Sequence, residues 1–197
     1  MLINTVKNRV YQSADKLGIS RDVINYGAKT QFLFIGECFL SVVIATLIEK
    51  TFLSIAFILA FTYLRTVCGG YHCKGYLSCI CLYVFMVISS TIICSYMNKL
   101  LSLLLVLVTI ISLFVISPVQ NENNRLNSND KIKYKRIARI RICTIACLFT
   151  LLYLSSLMSY AYIVSLVLTW LSLLCFVQLV LERRKNEHYI WFDSYLA

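Results

Sequence analysis

The chain has 197 residues, 59% of them hydrophobic, and a formal net charge of +10 although only 14% of its residues are charged. This apolar fraction exceeds what the core of a soluble domain of this length can bury, so an ordinary soluble protein is excluded. The sequence predicts an all-α, polytopic membrane protein with a single integral membrane domain over residues 1–197.

The first 30 residues contain five cations and no apolar run of the kind found in a cleavable signal peptide. Apolar residues recur at helical spacing from Ile3 to Leu17, which indicates a short helix lying at the membrane interface. We therefore expect residues 1–30 to be a retained cytoplasmic and interfacial segment.

Six apolar runs follow, each of about the 17 to 25 residues needed to cross about 30 Å of hydrocarbon. They predict membrane-spanning helices over residues 31–48, 51–67, 76–97, 100–117, 142–159 and 161–181. The only long connection, residues 118–141, starts with a proline and ends in a cluster of cations, which predicts a basic loop.

The distribution of lysine and arginine predicts the orientation. Seventeen of the 19 fall in alternate segments, namely residues 1–30, 65–75, 118–141 and 182–197. Because positive loops are retained in the cytoplasm, we expect a multi-pass membrane protein with both termini cytoplasmic. Topology and anionic lipid account for the charge, so nucleic acid is not an expected partner.

Glu37 lies inside the first predicted span, where a charge costs about 2.5 to 3.5 kcal/mol at the bilayer centre. It must therefore face protein or water. Two interpretations stay open: Glu37 lines a substrate cavity, or its carboxyl group is hydrogen-bonded to a neighbouring helix, for example to Gln178.

The reactive residues gather in one stretch, RTVCGGYHCKGYLSC, residues 65–79. A cysteine nucleophile needs a group that takes its proton, and His72 is the only histidine near a cysteine cluster. On one continuous helix His72 and Cys79 would lie about 10.5 Å apart along the axis, too far for proton transfer. A break is therefore required, and Gly69 and Gly70 supply it because glycine adopts backbone angles closed to other residues.

If the third span begins near residues 74–76, Cys79 lies at the start of a helix. The helix dipole there, together with the positive charges of Arg65 and Lys74, favours the thiolate. His72 can then lie over the same helix start. The stretch is thus a candidate nucleophile and base at the cytoplasmic membrane surface.

The residues alone leave three interpretations open. The first is a cysteine hydrolase or acyl transferase. The second is a metal site formed by Cys68, His72, Cys73 and Cys79, although this spacing matches no standard zinc pattern. The third is a purely structural turn, or a non-enzymatic transporter whose polar cavity is lined by Glu37 and Gln178; the lack of repeated halves argues against the transporter.

The arrangement of Arg65, Gly69, Gly70, His72 and Cys79 resembles the signature of the AgrB family, membrane peptidases that process quorum-sensing peptide precursors in Gram-positive bacteria. The chain length, the six spans, INYG at residues 24–27 and SPVQNENNRL before the basic region are similar to that family across most of the chain.

The resemblance implies that Cys79 is the nucleophile and His72 its base, with Arg65 and Gly70 supporting the site; we count Gly69 and Lys74 with them. It implies a bacterial cell membrane as the location, an AgrD-like precursor as substrate and a cyclic, secreted product. We expect no metal and no other cofactor, and a homodimer is compatible with the sequence. An acidic part of the precursor is expected to meet exposed cations, among them Lys131, Lys133, Lys135 and Arg136.

Overall fold

The computed structural model describes residues 21–71, 73, 75–119 and 128–196. Within these residues the protein is helical and has no strand. The helices in chain order are α1 (Arg21–Leu47), α2 (Thr51–Cys68), α3 (Tyr76–Ile93), α4 (Lys99–Ile116), α5 (Ser128–Leu154) and α6 (Met158–Leu196), and a 3₁₀ turn at Cys94–Tyr96 follows α3. The interfacial helix predicted between Ile3 and Leu17 lies outside the described residues.

Six helices in the described part of the chain are long and apolar enough to cross a membrane. Helix α4 shows the type of surface involved. Its outer side carries large apolar residues that are between 51% and 76% exposed: Leu100, Leu104, Leu107, Ile111 and Val115. Such a surface suits lipid, because backbone groups are satisfied inside each helix and the exposed side chains need no water. The predicted fold class, an all-α polytopic membrane protein, is confirmed.

The chain divides into two compact units, Met1–Leu40 and Ser41–Ala197. In the first unit the structure describes the greater part of α1. In the second unit α6 is the central helix, since it packs against α2, α3, α4 and α5. Most of its buried side chains are small or aliphatic, among them Ala161, Val164, Val167, Leu168 and Leu171.

Polar side chains also join helices within the second unit. The indole nitrogen Nε1 of Trp170 on α6 donates a hydrogen bond to Oγ of Ser90 on α3, at 3.0 Å. A polar group between membrane helices finds no water to bond, so contacts of this kind help to define which faces meet.

Local sequence explains where several helices begin and end. The side chain of Asn98 accepts a hydrogen bond from the backbone N–H of Leu101 at 2.8 Å, a typical N-cap for α4. Helix α4 stops at Ile116 because the residue before a proline is disfavoured in the α conformation, and Pro118 follows Ser117. Residues 117–119 therefore turn away from the axis of α4. They lie next to the turn that follows α2, where Val119 pairs with Gly69.

Three boundaries differ most from the sequence-based prediction. Helix α6 continues to Leu196, whereas the sixth span was expected to end at residue 181. Helix α1 begins at Arg21 and continues through Gly27, whereas the first span was expected to begin at residue 31. The basic region is helical from Ser128 onward and continuous with α5, whereas a loop was expected up to residue 141. Lysine, arginine, alanine and isoleucine alternate there without glycine or proline, and this composition allows the helix to extend beyond the apolar run. The remaining loop residues, 120–127, lie outside the described residues.

Candidate active site

The break between α2 and α3 is formed by Gly69 and Gly70. Helix α2 ends at Cys68, and the two glycines have φ angles of +75° and +114°, in the region that side chains other than glycine rarely adopt. Helix α3 then begins at Tyr76. The predicted break and the predicted start of the third span are both confirmed.

Gly69 is held against the segment that follows α4. The backbone N–H of Val119 donates to the carbonyl oxygen of Cys68 at 2.9 Å, and Gly69 and Val119 form an isolated parallel β-bridge. A Cβ atom on Gly69 would collide with the carbonyl oxygen of Val119. Glycine is therefore required here by two independent constraints, the positive φ and the close approach of another backbone.

Gly70 is buried against α6 on the other side. A Cβ atom on it would lie 2.8 Å from Nη1 of Arg65 and 3.3 Å from the backbone nitrogen of Cys175. The next residue, Tyr71, donates its backbone N–H to the carbonyl oxygen of Leu174 at 3.0 Å. The turn is thus fixed between α6 and the segment after α4.

Arg65 holds the turn from within its own helix. Its half-buried guanidinium donates from Nη1 to the carbonyl oxygen of Gly69 at 3.3 Å and from Nη2 to the carbonyl oxygen of Tyr71. The guanidinium carbon lies 5.9 Å from the centre of the Phe61 ring. Two carbonyl oxygens and an aromatic face partly replace the water that the charge has lost.

The positive charge of Arg65 also lies close to a group of thiols. Its guanidinium is within electrostatic range of the sulfur atoms of Cys68, Cys73, Cys79 and Cys175. A nearby cation stabilises the negative form of a thiol, so this charge favours a thiolate in its vicinity.

Cys79 differs from the other thiols in its position on a helix. Its backbone N–H bonds to the carbonyl oxygen of Gly75 at 3.1 Å, which closes the first turn of α3. Its side chain is half-buried, whereas Cys68 and Cys175 are fully buried and Cys81 is exposed. Cys79 therefore combines partial access, a helix start and a neighbouring guanidinium.

The structure brings together four of the predicted site residues, namely Arg65, Gly69, Gly70 and Cys79. His72 and Lys74 lie outside the described residues. The four predicted substrate-binding cations are exposed on α5: Lys131, Lys133, Lys135 and Arg136. Glu37 and Gln178 are buried in different units, so their pairing stays a prediction.

Backbone contacts at this site were not predicted from the sequence. Val119, Leu174 and Cys175 contribute main-chain atoms, and a main-chain contact leaves no signature in the type of side chain. The one usable signal was Pro118, which marked where α4 must end and the chain could turn towards Gly69.

The alternative of a metal site was also open. In the described ranges, no three His, Cys, Asp or Glu side chains form a group able to hold a metal ion. Cys68, Cys73 and Cys79, three of the four ligands considered, belong to those ranges. The fourth, His72, lies outside them, so the choice between a metal site and the other interpretations stays a prediction.

Fold and site together define a multi-pass α-helical membrane protein with a cysteine at the start of a helix, next to a glycine turn fixed by an arginine. The chain matches the family AgrB, accessory gene regulator B, over residues 2–178, and it belongs to that family. Membership connects the chain with peptide processing in accessory gene regulator quorum sensing. No curated protein and no solved structure gave a significant match.

Proposed function

We propose that the protein is a membrane cysteine endopeptidase that cleaves an AgrD-like precursor peptide and promotes its cyclisation to a thiolactone. The observation that carries the proposal is the position of Cys79, half-buried in the first turn of α3 and within electrostatic range of Arg65. Cys79 is the nucleophile and His72 is its base, in a dyad without a third orienting residue.

In the first step His72 takes the proton of the Cys79 thiol. The thiolate attacks the carbonyl carbon of the scissile peptide bond, and a C–S bond forms. The C–N bond then breaks, the leaving amine receives the proton from the imidazolium of His72, and the N-terminal part of the precursor stays on Cys79 as a thioester.

In the second step a cysteine thiol within the bound peptide gives its proton to neutral His72 and attacks the thioester carbonyl. The new C–S bond closes a thiolactone ring as the bond to Cys79 breaks. Cys79 leaves as a thiolate and regains the proton from His72. One thioester replaces another, so the exchange costs little, whereas attack by water would only release a linear peptide; exclusion of water therefore favours cyclisation.

Arg65 and the two glycines support this chemistry without reacting. The guanidinium ties two carbonyl oxygens of the turn to α2 and places a positive charge near Cys79. Gly69 and Gly70 allow the turn to approach α6 and Val119 closely. Lys74, the other predicted supporting residue, adds positive charge in the same segment of the sequence.

The precursor is expected to meet the exposed cations at the start of α5. Lys131, Lys133, Lys135 and Arg136 are exposed within the first ten residues of α5, and their charges together form a positive field. Retention of positive charge in the cytoplasm would explain the same residues without any substrate contact. Binding of a charged precursor by exposed cations should weaken as the salt concentration rises, and a role in topology alone predicts no such effect on processing.

The test uses the full chain purified and reconstituted in liposomes, together with a candidate precursor. We expect mass spectrometry to show a covalent adduct of the N-terminal precursor fragment on Cys79, followed by a cyclic product. Cys79→Ser should give neither, while Cys81→Ser, two residues away on the exposed side of α3, should give both. Passage of the intact precursor into the liposomes with no adduct would favour the transporter interpretation instead.

A further inference from the structure

Arg141 on α5 binds the last turns of α2 just before the glycine turn. Its Nη1 donates to the carbonyl oxygen of Tyr63 and to Oγ1 of Thr66, both at 2.6 Å. Its guanidinium carbon lies 4.8 Å from the centre of the Tyr63 ring. One side chain of α5 thus makes a backbone, a hydroxyl and an aromatic contact with the same end of α2.

The other cations with described side chains on α5 do not behave in this way. Arg139, two residues earlier, is exposed, as are the four proposed substrate-binding cations, whereas Arg141 is half-buried. A cation that served only to retain the helix end in the cytoplasm would need no contact with a neighbouring helix. The inward position of Arg141 therefore indicates a structural demand between α5 and α2.

The contacts suit a guanidinium and not simply a positive charge. The group is planar, donates along fixed directions and stacks on an aromatic face, and an ammonium group reproduces only its charge. A cation is also favoured near the C-terminal end of a helix, where carbonyl oxygens carry partial negative charge. Arg141 lies within electrostatic range of Cys68, the last residue of α2.

The end of α2 is consequently held by two guanidinium groups. Arg65 reaches forward to the carbonyl oxygens of Gly69 and Tyr71, and Arg141 reaches from α5 to Tyr63 and Thr66. Arg65 follows Tyr63 by two residues and precedes Thr66 by one. Helix α5 also carries the basic surface, which we define as Lys131, Lys133, Lys135 and Arg136, and Arg141 therefore connects this helix to the segment that carries Arg65.

We propose that Arg141 is a positioning residue that fixes the register of α5 against α2, and so sets which peptide bond of the precursor reaches Cys79. This inference rests on the function proposed above. Lys131 and Arg141 lie about 15 Å apart along the axis of α5, at about 1.5 Å per residue. A slip of one helical turn, about 5.4 Å, would move an extended peptide held by the basic surface by one or two residues, at about 3.3 Å each.

The experiment compares Arg141→Gln with Arg139→Gln in the full chain in liposomes. Both variants lose one positive charge from the same helix, and only the first loses the contacts with α2. We expect Arg141→Gln to lower kcat about 10- to 100-fold, the loss typical of a reacting group displaced by about an ångström. We also expect products cut one or two residues from the normal position, while Arg139→Gln keeps the normal kcat and the normal product.

Two further variants separate positioning from charge and from folding. Arg141→Lys keeps the charge and should behave like Arg141→Gln. Thr66→Val removes one acceptor while Arg141 and the topology are retained, so it should lower kcat in the same direction. Because both changes affect one contact, combining Thr66→Val with Arg141→Gln should give less than the sum of their separate effects.

Hydrogen–deuterium exchange supplies a readout that does not depend on cleavage. The amides of residues 63–68 should exchange faster in Arg141→Gln than in Arg139→Gln. Equal exchange and equal products in the two variants would overturn the inference. Failure of the wild-type protein to cleave any precursor would overturn the proposed function instead, and the exchange comparison would still decide whether Arg141 anchors α5 to α2.

Discussion

Arg65 and Tyr71 are joined across the break between α2 and α3 by a hydrogen bond from Nη2 of the guanidinium to the main-chain carbonyl oxygen of Tyr71. Nη1 of the same side chain donates to the carbonyl oxygen of Gly69. The Arg65 side chain therefore links the residues before and after Gly70 to α2. Its positive charge also lies near Cys79. Its structural role and its electrostatic role can be separated by substitution.

Arg65→Lys keeps the positive charge but cannot donate along two fixed directions to the turn, whereas Arg65→Gln loses the charge as well. Hydrogen bonds from charged groups contribute about 1.5 to 3 kcal/mol, so we expect kcat to fall about 10- to 100-fold in both variants. Alkylation of Cys79 by iodoacetamide should stay fast in Arg65→Lys and slow down in Arg65→Gln. A normal kcat for Arg65→Lys would show that the charge alone matters.

Gly70→Ala should damage the site through Arg65. The φ of +114° is unfavourable for alanine, with a cost of about 1 to 3 kcal/mol, and the new Cβ would displace Nη1 of Arg65 from its contact with Gly69. We expect a lower midpoint of thermal unfolding and a large loss of cleavage. Gly36→Ala is the matched control, because nothing lies within 4 Å of its added Cβ and alanine favours a helix interior.

A double variant tests whether Gly70→Ala acts through Arg65. If Gly70→Ala acts by displacing the guanidinium, adding Arg65→Gln should reduce kcat little further. Fully additive losses would mean that the two residues act independently, and the steric explanation would then be wrong.

Cys79→Ser should abolish both the adduct and the cleavage, and His72→Ala should nearly do so, because the proposed dyad loses its nucleophile or its base. Cys68→Ala, Cys73→Ala and Cys81→Ala should keep substantial activity. Cys79 should be alkylated faster near neutral pH than Cys68, which is fully buried, and Cys81, which is exposed but faces away from the site. Full processing by Cys79→Ser would remove the assignment of the nucleophile.

The sequence predicted those parts of the site that depend on side-chain type or on glycine. The distance between His72 and Cys79 on one continuous helix required a break, Gly69 and Gly70 supplied it, and Cys79 lies in the first turn of α3. The sequence did not predict the contacts of the turn with Val119 and with α6, since main-chain atoms make them and any side chain can carry those atoms.

The charge pattern was informative about topology and uninformative about packing. All cations of residues 118–141 were counted alike, because positive charge near a span end predicts orientation whatever the direction of the side chain. The contacts of Arg141 with Tyr63 and Thr66 join residues that are far apart in sequence, and they depend on how α5 packs against α2. The helical start of α5 at Ser128 was missed for a different reason, because the polarity of residues 118–141 suggested a loop.

The predicted orientation can be tested at two exposed positions at opposite ends of the predicted spans. Tyr96 is 83% exposed in the turn after α3, and Ile132 is 72% exposed near the start of α5. We expect an impermeant thiol reagent to label Tyr96→Cys from outside intact cells and to label Ile132→Cys only after the membrane is opened. Peptide mapping distinguishes the introduced cysteines from the nine native ones. The reverse pattern would contradict the orientation and move Cys79 to the outer surface.

If the basic surface of α5 binds the precursor, its contribution to binding should decrease as the salt concentration rises. Exposed cations attract a charged partner with an energy that is screened over about 8 to 10 Å at physiological ionic strength. Replacing Lys133 and Lys135 with glutamine should therefore raise KM for an acidic precursor and leave kcat nearly unchanged, because neither residue contacts the reacting atoms in the proposed mechanism. The wild-type KM should rise with salt, and the double variant should respond less. Quantified insertion into membranes provides the control, since Arg125, Arg139 and other cations of the same segment still favour the predicted orientation. An unchanged KM in the variant and at every salt concentration would leave these lysines with a topological role alone.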